Sequence, residues 1–161
     1  MHFTNADADD ARLLRYVELF AVCFPGARHF DLAYLRWLYR ENPAGLVVGF
    51  DAWEGERLAA HYACIPASVR LAGTPVRGLL SLNTATHPDF QGRGLFTQLA
   101  SRTYDAAANG GFELVFGFAN ANSTPGFLRK LNFRLVAPLD AAIGVGRFRG
   151  IDWLIAQSAE F

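Results

Sequence analysis

The sequence predicts one mixed domain of the α/β or α+β class, covering residues 1–161. Length and composition favour a single domain, because 161 residues that are 52% hydrophobic and 14% aromatic can fill one core. A disordered chain would carry few apolar residues. The order of patterns favours the class: helical periodicity comes first, short strands follow, and strand–helix alternation comes last. We therefore expect a mixed sheet with helices on its faces.

Two helices are predicted near the beginning of the chain. Apolar residues recur at helical spacing across residues 8–22, behind an acidic cluster at 7–10 that suits the positive end of a helix. A second helix is expected to begin at Asp31, a suitable N-cap, and to end at Asn42-Pro43.

The middle of the chain predicts antiparallel strands joined by tight turns. Glycine-containing turns at 54–57 and 72–75 separate the strand-like runs, and Pro66 is expected to break one of them. The predicted strands are residues 45–53, 58–65, 68–71 and 76–87.

Helices and strands alternate after residue 87. We expect a loop at 88–94, a helix at 95–108, a strand at 112–118, a short helix at 125–131 and a strand at 133–139. The tail, residues 150–161, has the pattern of an amphipathic helix.

Charge and composition exclude several classes of function. Fifteen basic and fifteen acidic side chains cancel, so no general field attracts nucleic acid or anionic lipid. No apolar run is long enough for a membrane span, and the N-terminus lacks a signal-peptide pattern. Cys23 and Cys64 have no Cys or His neighbours at metal-ligand spacing, so we expect buried thiols and no metal. The sequence predicts a cytoplasmic protein without nucleic-acid or membrane partners.

The segment from Thr84 to Leu99 carries the strongest functional signal, because a strand enters a glycine-rich turn and leaves it as a helix. Gly92 and Gly94 let the backbone approach a ligand closely, and the following helix adds unpaired N–H groups and the positive end of its dipole. Arg93, between them, can add a permanently charged donor. This arrangement predicts a phosphate or pyrophosphate site.

Spacing separates three motifs that could form such a loop. A Walker A loop needs a lysine, and none is present here. A dinucleotide fingerprint needs a third glycine where Thr97 stands, although Glu113 lies at the distance expected of a ribose-binding acid. The first strand of a dinucleotide-binding fold is buried and should be apolar, whereas the strand ahead of this loop is polar. This difference also argues against a dinucleotide-binding fold.

The segment Gln91-Gly92-Arg93-Gly94-Leu95-Phe96 resembles the pyrophosphate loop of the GNAT acyl-CoA-dependent acyltransferase superfamily, although Phe96 stands where a small residue is usual. The downstream segment from Gly117 to Phe133 is similar to the Asn-containing loop and short helix of one branch. Asn132 replaces the glycine that ends the helix there, and asparagine is the second choice for a left-handed position. The resemblance covers residues 45–140 by motif.

The resemblance implies a mostly antiparallel central sheet with helices on its faces and two splayed central strands. It also implies acetyl-CoA as co-substrate, with its pyrophosphate on the loop and its pantetheine arm beside the preceding strand. Two of these assignments compete with simpler ones, since Arg93 could be a solvated loop charge and the asparagines could form the turn before Pro125. The implied cofactor-binding residues are Thr84, Ala85, Thr86, Gln91, Gly92, Arg93, Gly94, Leu95, Phe96, Thr97, Asn120 and Asn122.

Catalytic groups are less clearly marked. GNAT enzymes often carry a carboxylate on the strand before the loop, but residues 76–87 contain none. His87 is the candidate base or proton relay, and its alternative role is to fix the turn before Pro88. The family's tyrosine acid would fall at Leu128, so Ser123 or a water is the candidate to assist the leaving thiolate. Cys64 as a nucleophile is disfavoured, because His61 lies three residues away on the opposite strand face.

Together these observations predict an acetyl-CoA-dependent N-acyltransferase that acts directly on a small-molecule amine, as a monomer or homodimer. The alternative is a non-catalytic acyl-CoA-binding or regulatory module on the same fold, which the missing carboxylate and tyrosine favour. A third hypothesis is a dinucleotide-binding domain. The acceptor, the acyl chain length and the oligomeric state are not encoded in any motif.

Overall fold

The computed structural model describes residues 1–137, 142–145 and 154–157. It divides the chain into two compact units, residues 1–118 and residues 119–161. The first unit holds the strands and helices β1 (His2–Asn5), α1 (Asp10–Cys23), α2 (Leu32–Tyr39), β2 (Val48–Glu54), β3 (Arg57–Leu71), β4 (Thr74–Thr86), α3 (Leu95–Asn109) and β5 (Leu114–Gly117). The second holds α4 (Thr124–Lys130), β6 (Ala142–Val145) and β7 (Leu154–Gln157). The prediction of one domain over residues 1–161 stays a prediction.

Both N-terminal helices begin where the sequence places their caps. Asp9 accepts a hydrogen bond from the backbone N–H of Arg12 at the start of α1, and Asp31 accepts one from Tyr34 at the start of α2. Each carboxylate satisfies an N–H group that has no partner within the helix. The predicted helices at 8–22 and 31–42 are confirmed, with α2 shorter than expected.

The five strands of the first unit form one sheet in the order β1-β2-β3-β4-β5. All neighbouring strands are antiparallel except β4 and β5, which run parallel. The predicted mixed, mostly antiparallel sheet flanked by helices is therefore confirmed. This sheet excludes the dinucleotide-binding hypothesis, which requires a doubly wound parallel sheet.

The two faces of the sheet carry different helices. Successive residues of β3 point to opposite faces. The His61 ring lies 4.0 Å from the ring of Tyr16 in α1, whereas the Tyr62 ring lies 6.0 Å from that of Tyr104 in α3. The core on the α1 and α2 face is built from fully buried side chains that include Leu13, Phe20 and Leu35.

The break predicted at Pro66 is wrong. β3 runs through this residue, and Pro66 pairs with Leu79 of β4. β2 reaches only as far as the pair Val48–Cys64, so within residues 1–137 the opposite edge of β3 has no strand partner beyond that point. A proline is tolerated on such an edge because no N–H is required there.

The ends of the chain also differ from the sequence predictions. β1 was not predicted, because its four residues, His2–Asn5, are too few to show a period. The expected strand at 133–139 is wrong over residues 133–137, which are irregular, and residues 138 and 139 lie outside the described part. The tail helix is wrong over Leu154–Gln157, which pair antiparallel with β6, and its other residues lie outside the described part.

Candidate active site

β4 has an edge that is only partly covered. Its parallel pairing with β5 begins at Gly78 opposite Leu114 and ends at Ser81 opposite Gly117. Within residues 1–137, no strand pairs with β4 on that side between Leu82 and Thr86. These two strands thus separate where the resemblance implies splayed strands. The open segment offers backbone amides to any extended ligand that carries amides of its own.

A bulge interrupts β4 within the open segment. Ala63 pairs with Leu82 and His61 pairs with Ala85, so two residues of β4, Asn83 and Thr84, lie opposite one residue of β3. Asn83 adopts φ 51°, in the left-handed region that asparagine tolerates better than most residues. Bulges of this kind redirect side chains and are frequent beside active sites.

The hydroxyl of Thr84 is buried and has no hydrogen-bond partner in the described part of the structure. A buried hydroxyl without a partner costs free energy, on the order of 1–3 kcal/mol. A ligand that supplied a hydrogen bond to Thr84 would recover part of this cost. The next residue, Ala85, is buried, and Thr86 is half-buried.

The loop after β4 combines a short 3-10 turn at Pro88–Phe90 with two left-handed glycines. Gly92 has φ 76° and Gly94 has φ 71°, and a Cβ atom built on Gly92 meets no atom of the described residues within 4 Å. Gly94 is the N-cap residue of α3, and no side chain caps the helix. The predicted loop at 88–94 and helix at 95–108 are confirmed. The loop therefore presents an open backbone surface beside the positive end of a helix.

Two arginines brace the loop against the hairpin that joins β2 and β3. The Arg93 guanidinium contacts the Glu54 carboxylate at 3.4 Å and donates to the carbonyl of Asp89 at 3.2 Å. The Arg57 guanidinium donates to the carboxylate of Asp89 at 2.7 Å, which lowers the pKa of that carboxyl. Both guanidinium groups also stack on Phe90, at 4.9 Å and 5.1 Å from the ring centre. Arg93 is thus a half-exposed side chain that bridges the loop and the hairpin.

His87 is held at the start of the turn. Its Nδ1 accepts a hydrogen bond from the backbone N–H of Asp89 at 3.2 Å, and its Nε2 lies 2.9 Å from the Arg57 guanidinium. Its backbone N–H donates to the carbonyl of Ala59. These contacts are those of a residue that fixes the turn before Pro88, the alternative that the sequence left open. Its role as a base stays a prediction.

The other residues predicted to bind the cofactor from the loop also lie in the first unit, close to one another in the chain. The Gln91 side chain donates to the carbonyl of Thr86 at 3.4 Å, which ties the loop to the open segment of β4. The Thr97 hydroxyl donates to the carbonyl of Gly94 at 2.9 Å. Leu95 is buried, so only its backbone can meet a ligand. The Phe96 ring packs 5.9 Å from that of Tyr62.

Asn120, Asn122 and Ser123 lie in the second unit and form a local turn. The Asn120 side-chain oxygen accepts hydrogen bonds from the backbone N–H groups of Asn122 and Ser123, at 3.1 Å and 3.0 Å. The Ser123 hydroxyl bonds to the same oxygen at 3.0 Å. Asn120 and Ser123 therefore form the turn before α4, the simpler of the two roles weighed from the sequence. Their contact with a cofactor stays a prediction, as does that of Asn122.

Cys64 has none of the features of a nucleophile. Burial raises the pKa of its thiol to about 12. At pH 8 that leaves about one thiol in ten thousand ionised. His61 points to the opposite face of β3, as expected from the strand period, and hydrogen-bonds to Asp51 and Tyr39. The described residues also contain no group of His, Cys, Asp and Glu that could hold a metal ion.

Two features of the site were missed from the sequence. One is Asn83, whose left-handed conformation forms the bulge; an asparagine, which tolerates this conformation, inside a predicted strand is the signal that could have pointed to it. The other is Arg57, which braces the loop from a hairpin about thirty positions earlier in the chain. No local pattern pairs residues at that separation.

Comparison with known proteins identifies the class to which this fold and loop belong. Residues 6–136 match the family model described as the acetyltransferase (GNAT) domain. The chain therefore belongs to the GNAT acetyltransferase family, and its enzyme class is N-acetyltransferase. No curated protein matches the sequence significantly. In the described residues, no helix combines the length and apolarity needed to cross a membrane.

Solved structures with the same fold have low sequence identity to this chain. A predicted acetyltransferase with acetyl-CoA from Clostridium acetobutylicum is 18% identical, with a TM-score of 0.67 over 84% of this chain and 90% of that one. An aminoglycoside 6'-N-acetyltransferase from Acinetobacter haemolyticus is 17% identical, with a TM-score of 0.66 over 94% and 100%. A transcriptional regulator from Bacillus halodurans is 17% identical, with a TM-score of 0.67 over 85% and 96%. At these identities the likeness shows the fold.

Proposed function

We propose that this domain binds acetyl-CoA and transfers the acetyl group to the amine of a small molecule. The observation that carries the proposal is the continuity of two open backbone surfaces: the open edge of β4 leads directly into the glycine loop and the start of α3, which has no side-chain cap in the described residues. One surface suits the amides of a pantetheine arm, and the other suits a pyrophosphate. That the chain forms a single functional domain over residues 1–161 is part of the same proposal.

The described residues fit a CoA ligand. Backbone N–H groups across 92–97 would hold the pyrophosphate, and the open space at Gly92 leaves room for it. Arg93 would add charge after loosening its contact with Glu54. The open edge from Thr84 to Thr86 would pair with the pantetheine amides, and the Thr84 hydroxyl would gain the partner that it lacks. Asn120 and Asn122 are further proposed contacts to the arm.

The proposed reaction is direct transfer. The neutral amine attacks the thioester carbonyl, a carbon–nitrogen bond forms, the carbon–sulfur bond breaks, and the amine releases a proton. Because a free amine has a pKa of about 10, a proton acceptor is needed near neutral pH, and His87 is the proposed base or relay. A thiolate with a pKa of about 8.5 can leave without a dedicated acid, with Ser123 or a water assisting.

The small-molecule acceptor is proposed from the class of chemistry that two structural neighbours share. One is an aminoglycoside acetyltransferase from an uncultured soil metagenomic sample, and the other is the enzyme from Acinetobacter haemolyticus. Both are described as aminoglycoside acetyltransferases. An amino sugar or an amino-acid derivative is therefore the first acceptor class to test, and a monomer or homodimer is the proposed assembly.

Titration calorimetry and a thiol-release assay test the proposed function together. We expect saturable binding of acetyl-CoA, no competition by NAD, and release of free CoA thiol with at least one member of an amine panel. Binding without thiol release across the panel would favour the non-catalytic module, for which the lack of a carboxylate on β4 is the motivating observation. No binding at millimolar acetyl-CoA would overturn the proposal.

A further inference from the structure

A buried hydrogen-bonded network leads from β2 to the bulge of β4. It consists of Asp51, His61, Tyr39 and Asn83. His61 Nδ1 lies 2.7 Å from a carboxylate oxygen of Asp51, and the Tyr39 hydroxyl lies 3.0 Å from His61 Nε2. The Asn83 side-chain amide donates to the Tyr39 oxygen at 3.2 Å. Because a carboxylate only accepts, His61 donates from Nδ1; when the ring is neutral, its Nε2 accepts from Tyr39.

At the end of the network that is away from Asn83, two residues of α1, Arg12 and Tyr16, hold Asp51 in place. The second carboxylate oxygen of Asp51 accepts from the Tyr16 hydroxyl at 2.8 Å and from the Arg12 guanidinium at 3.2 Å. The Tyr16 oxygen in turn accepts from the backbone N–H of Asp7 at 3.0 Å. Asp51, His61, Tyr16 and Tyr39 are each 0% exposed. A polar network so buried and so fully bonded holds its members in one geometry.

Asn83 is the member of the network that touches the candidate site. Its backbone forms the bulge with φ 51°, a conformation that costs free energy for a residue other than glycine. Its side chain hydrogen-bonds to Tyr39 on the face of the sheet that α1 and α2 cover. Thr84, with its unpartnered hydroxyl, follows immediately. Whatever holds Asn83 therefore sets the direction of Thr84 and of the open edge.

We propose that Tyr39, held in place by His61 and Asp51, is a positioning residue that fixes the Asn83 bulge and thereby aligns the open edge of β4 with the acyl group. This inference rests on the proposed function for the identity of the ligand. Tyr39 itself is fully enclosed, so it can act on the open edge only through Asn83. Burial raises the pKa of Tyr39, which keeps its hydroxyl protonated and able to donate to His61.

The first experiment needs no ligand. Amide hydrogen exchange is measured in the free protein for Tyr39→Phe, with Tyr62→Phe as the matched control. Tyr62 is the β3 residue opposite the bulge, but its buried hydroxyl lies on the other face of the sheet and bonds to Ser81 of β4, which is outside the bulge. We expect the amide hydrogen-exchange rate of Ala85 to rise roughly tenfold or more in Tyr39→Phe. The rate of Leu79, which lies on the same strand outside the bulge, should change little. Tyr62→Phe should leave Ala85 protected.

The second experiment separates the backbone role of Asn83 from a direct chemical role. Glycine keeps access to the left-handed conformation, whereas alanine does not. We expect Asn83→Ala to lower kcat roughly tenfold to a hundredfold with little change in the Kd of CoA, because the loop still holds the pyrophosphate. Asn83→Gly also loses the bond to Tyr39 but keeps the backbone conformation, so it should keep more activity than Asn83→Ala. Tyr39→Phe should lower kcat in the wild-type background but have little further effect in Asn83→Gly.

Each outcome decides the inference. Faster exchange at the bulge, rescue by Asn83→Gly and a non-additive double variant would support it. Unchanged exchange at Ala85 in Tyr39→Phe, equal losses in Asn83→Ala and Asn83→Gly, or additive effects of the two substitutions would overturn it. If the wild-type protein binds no acetyl-CoA, the proposed function fails separately, and the exchange experiment still shows whether Tyr39 holds the bulge.

Discussion

Replacing Gly94 with glutamate is expected to weaken acetyl-CoA binding by roughly a hundredfold or more. Gly94 is the N-cap of α3 with φ 71°, and a Cβ atom there meets only ordinary contacts with Gln98 and Thr97. The side chain therefore fits, but its carboxylate lies at the helix end that would hold the pyrophosphate. Like charges at this end repel, and the strained backbone displaces the donor groups. Titration calorimetry of the purified variant measures the effect.

Gly73→Glu is the matched control for this experiment. Gly73 has φ 84°, nothing lies within 4 Å of its Cβ position, and it occupies the turn at the other end of β4. Both substitutions place a charged side chain in a left-handed conformation, at a cost of about 1–2 kcal/mol. Similar losses of thermal stability are therefore expected, but Gly73→Glu should bind acetyl-CoA normally. Equal binding by the two variants would contradict the assignment of the loop.

Replacing Asp51 with alanine is expected to lower the free energy of unfolding by about 3–5 kcal/mol. The carboxylate is fully buried and accepts hydrogen bonds from Arg12, Tyr16 and His61. Its removal leaves the donors on Tyr16 and His61 buried without acceptors and the Arg12 guanidinium without its carboxylate partner. Urea denaturation, followed by circular dichroism, measures the change in free energy.

Asp10→Ala is the control for this second prediction. Asp10 also accepts hydrogen bonds from two arginines, Arg36 and Arg40, but it lies at the surface. Because solvent screens this surface charge, Asp10→Ala should lower the free energy of unfolding much less than Asp51→Ala does. Arg36 lowers the pKa of Asp10 to about 2, so its contribution is present above pH 3.8 and is lost as the pH falls towards 2. Equal losses in the two variants at pH 7 would contradict the importance of the buried network.

The sequence was most informative where local chemistry decides the structure. Asp31 and the acidic cluster at 7–10 marked helix starts because caps act within one turn. The glycine loop and the start of α3 could be located because a left-handed turn needs glycine. Asn132, expected in a left-handed position, has φ 56°.

Prediction was least successful where distant residues decide the structure. Pro66 continues a strand because β2 ends early on one side, which the local sequence around the proline does not show. The partner of Arg93 is Glu54 on a hairpin almost forty positions away, and the network behind the bulge joins β2, β3, α2 and β4. Such pairings depend on strand register, which becomes visible only in the folded chain.

The proposed anion site is compatible with the neutral composition. A net charge of zero excludes a general electrostatic attraction, yet the proposed site needs none. Its donors are mainly backbone N–H groups at Gly92, Gly94 and the start of α3, and these contribute nothing to net charge. Arg93 adds one cation that Glu54 already balances.

An NMR titration of the isotope-labelled protein with acetyl-CoA tests the central claim most directly. If the open edge of β4 and the glycine loop form one cofactor site, the largest amide shift changes will fall at residues 84–86 and 92–97. The turn at 72–74 should not respond. Saturable changes that leave both segments untouched would contradict the claim.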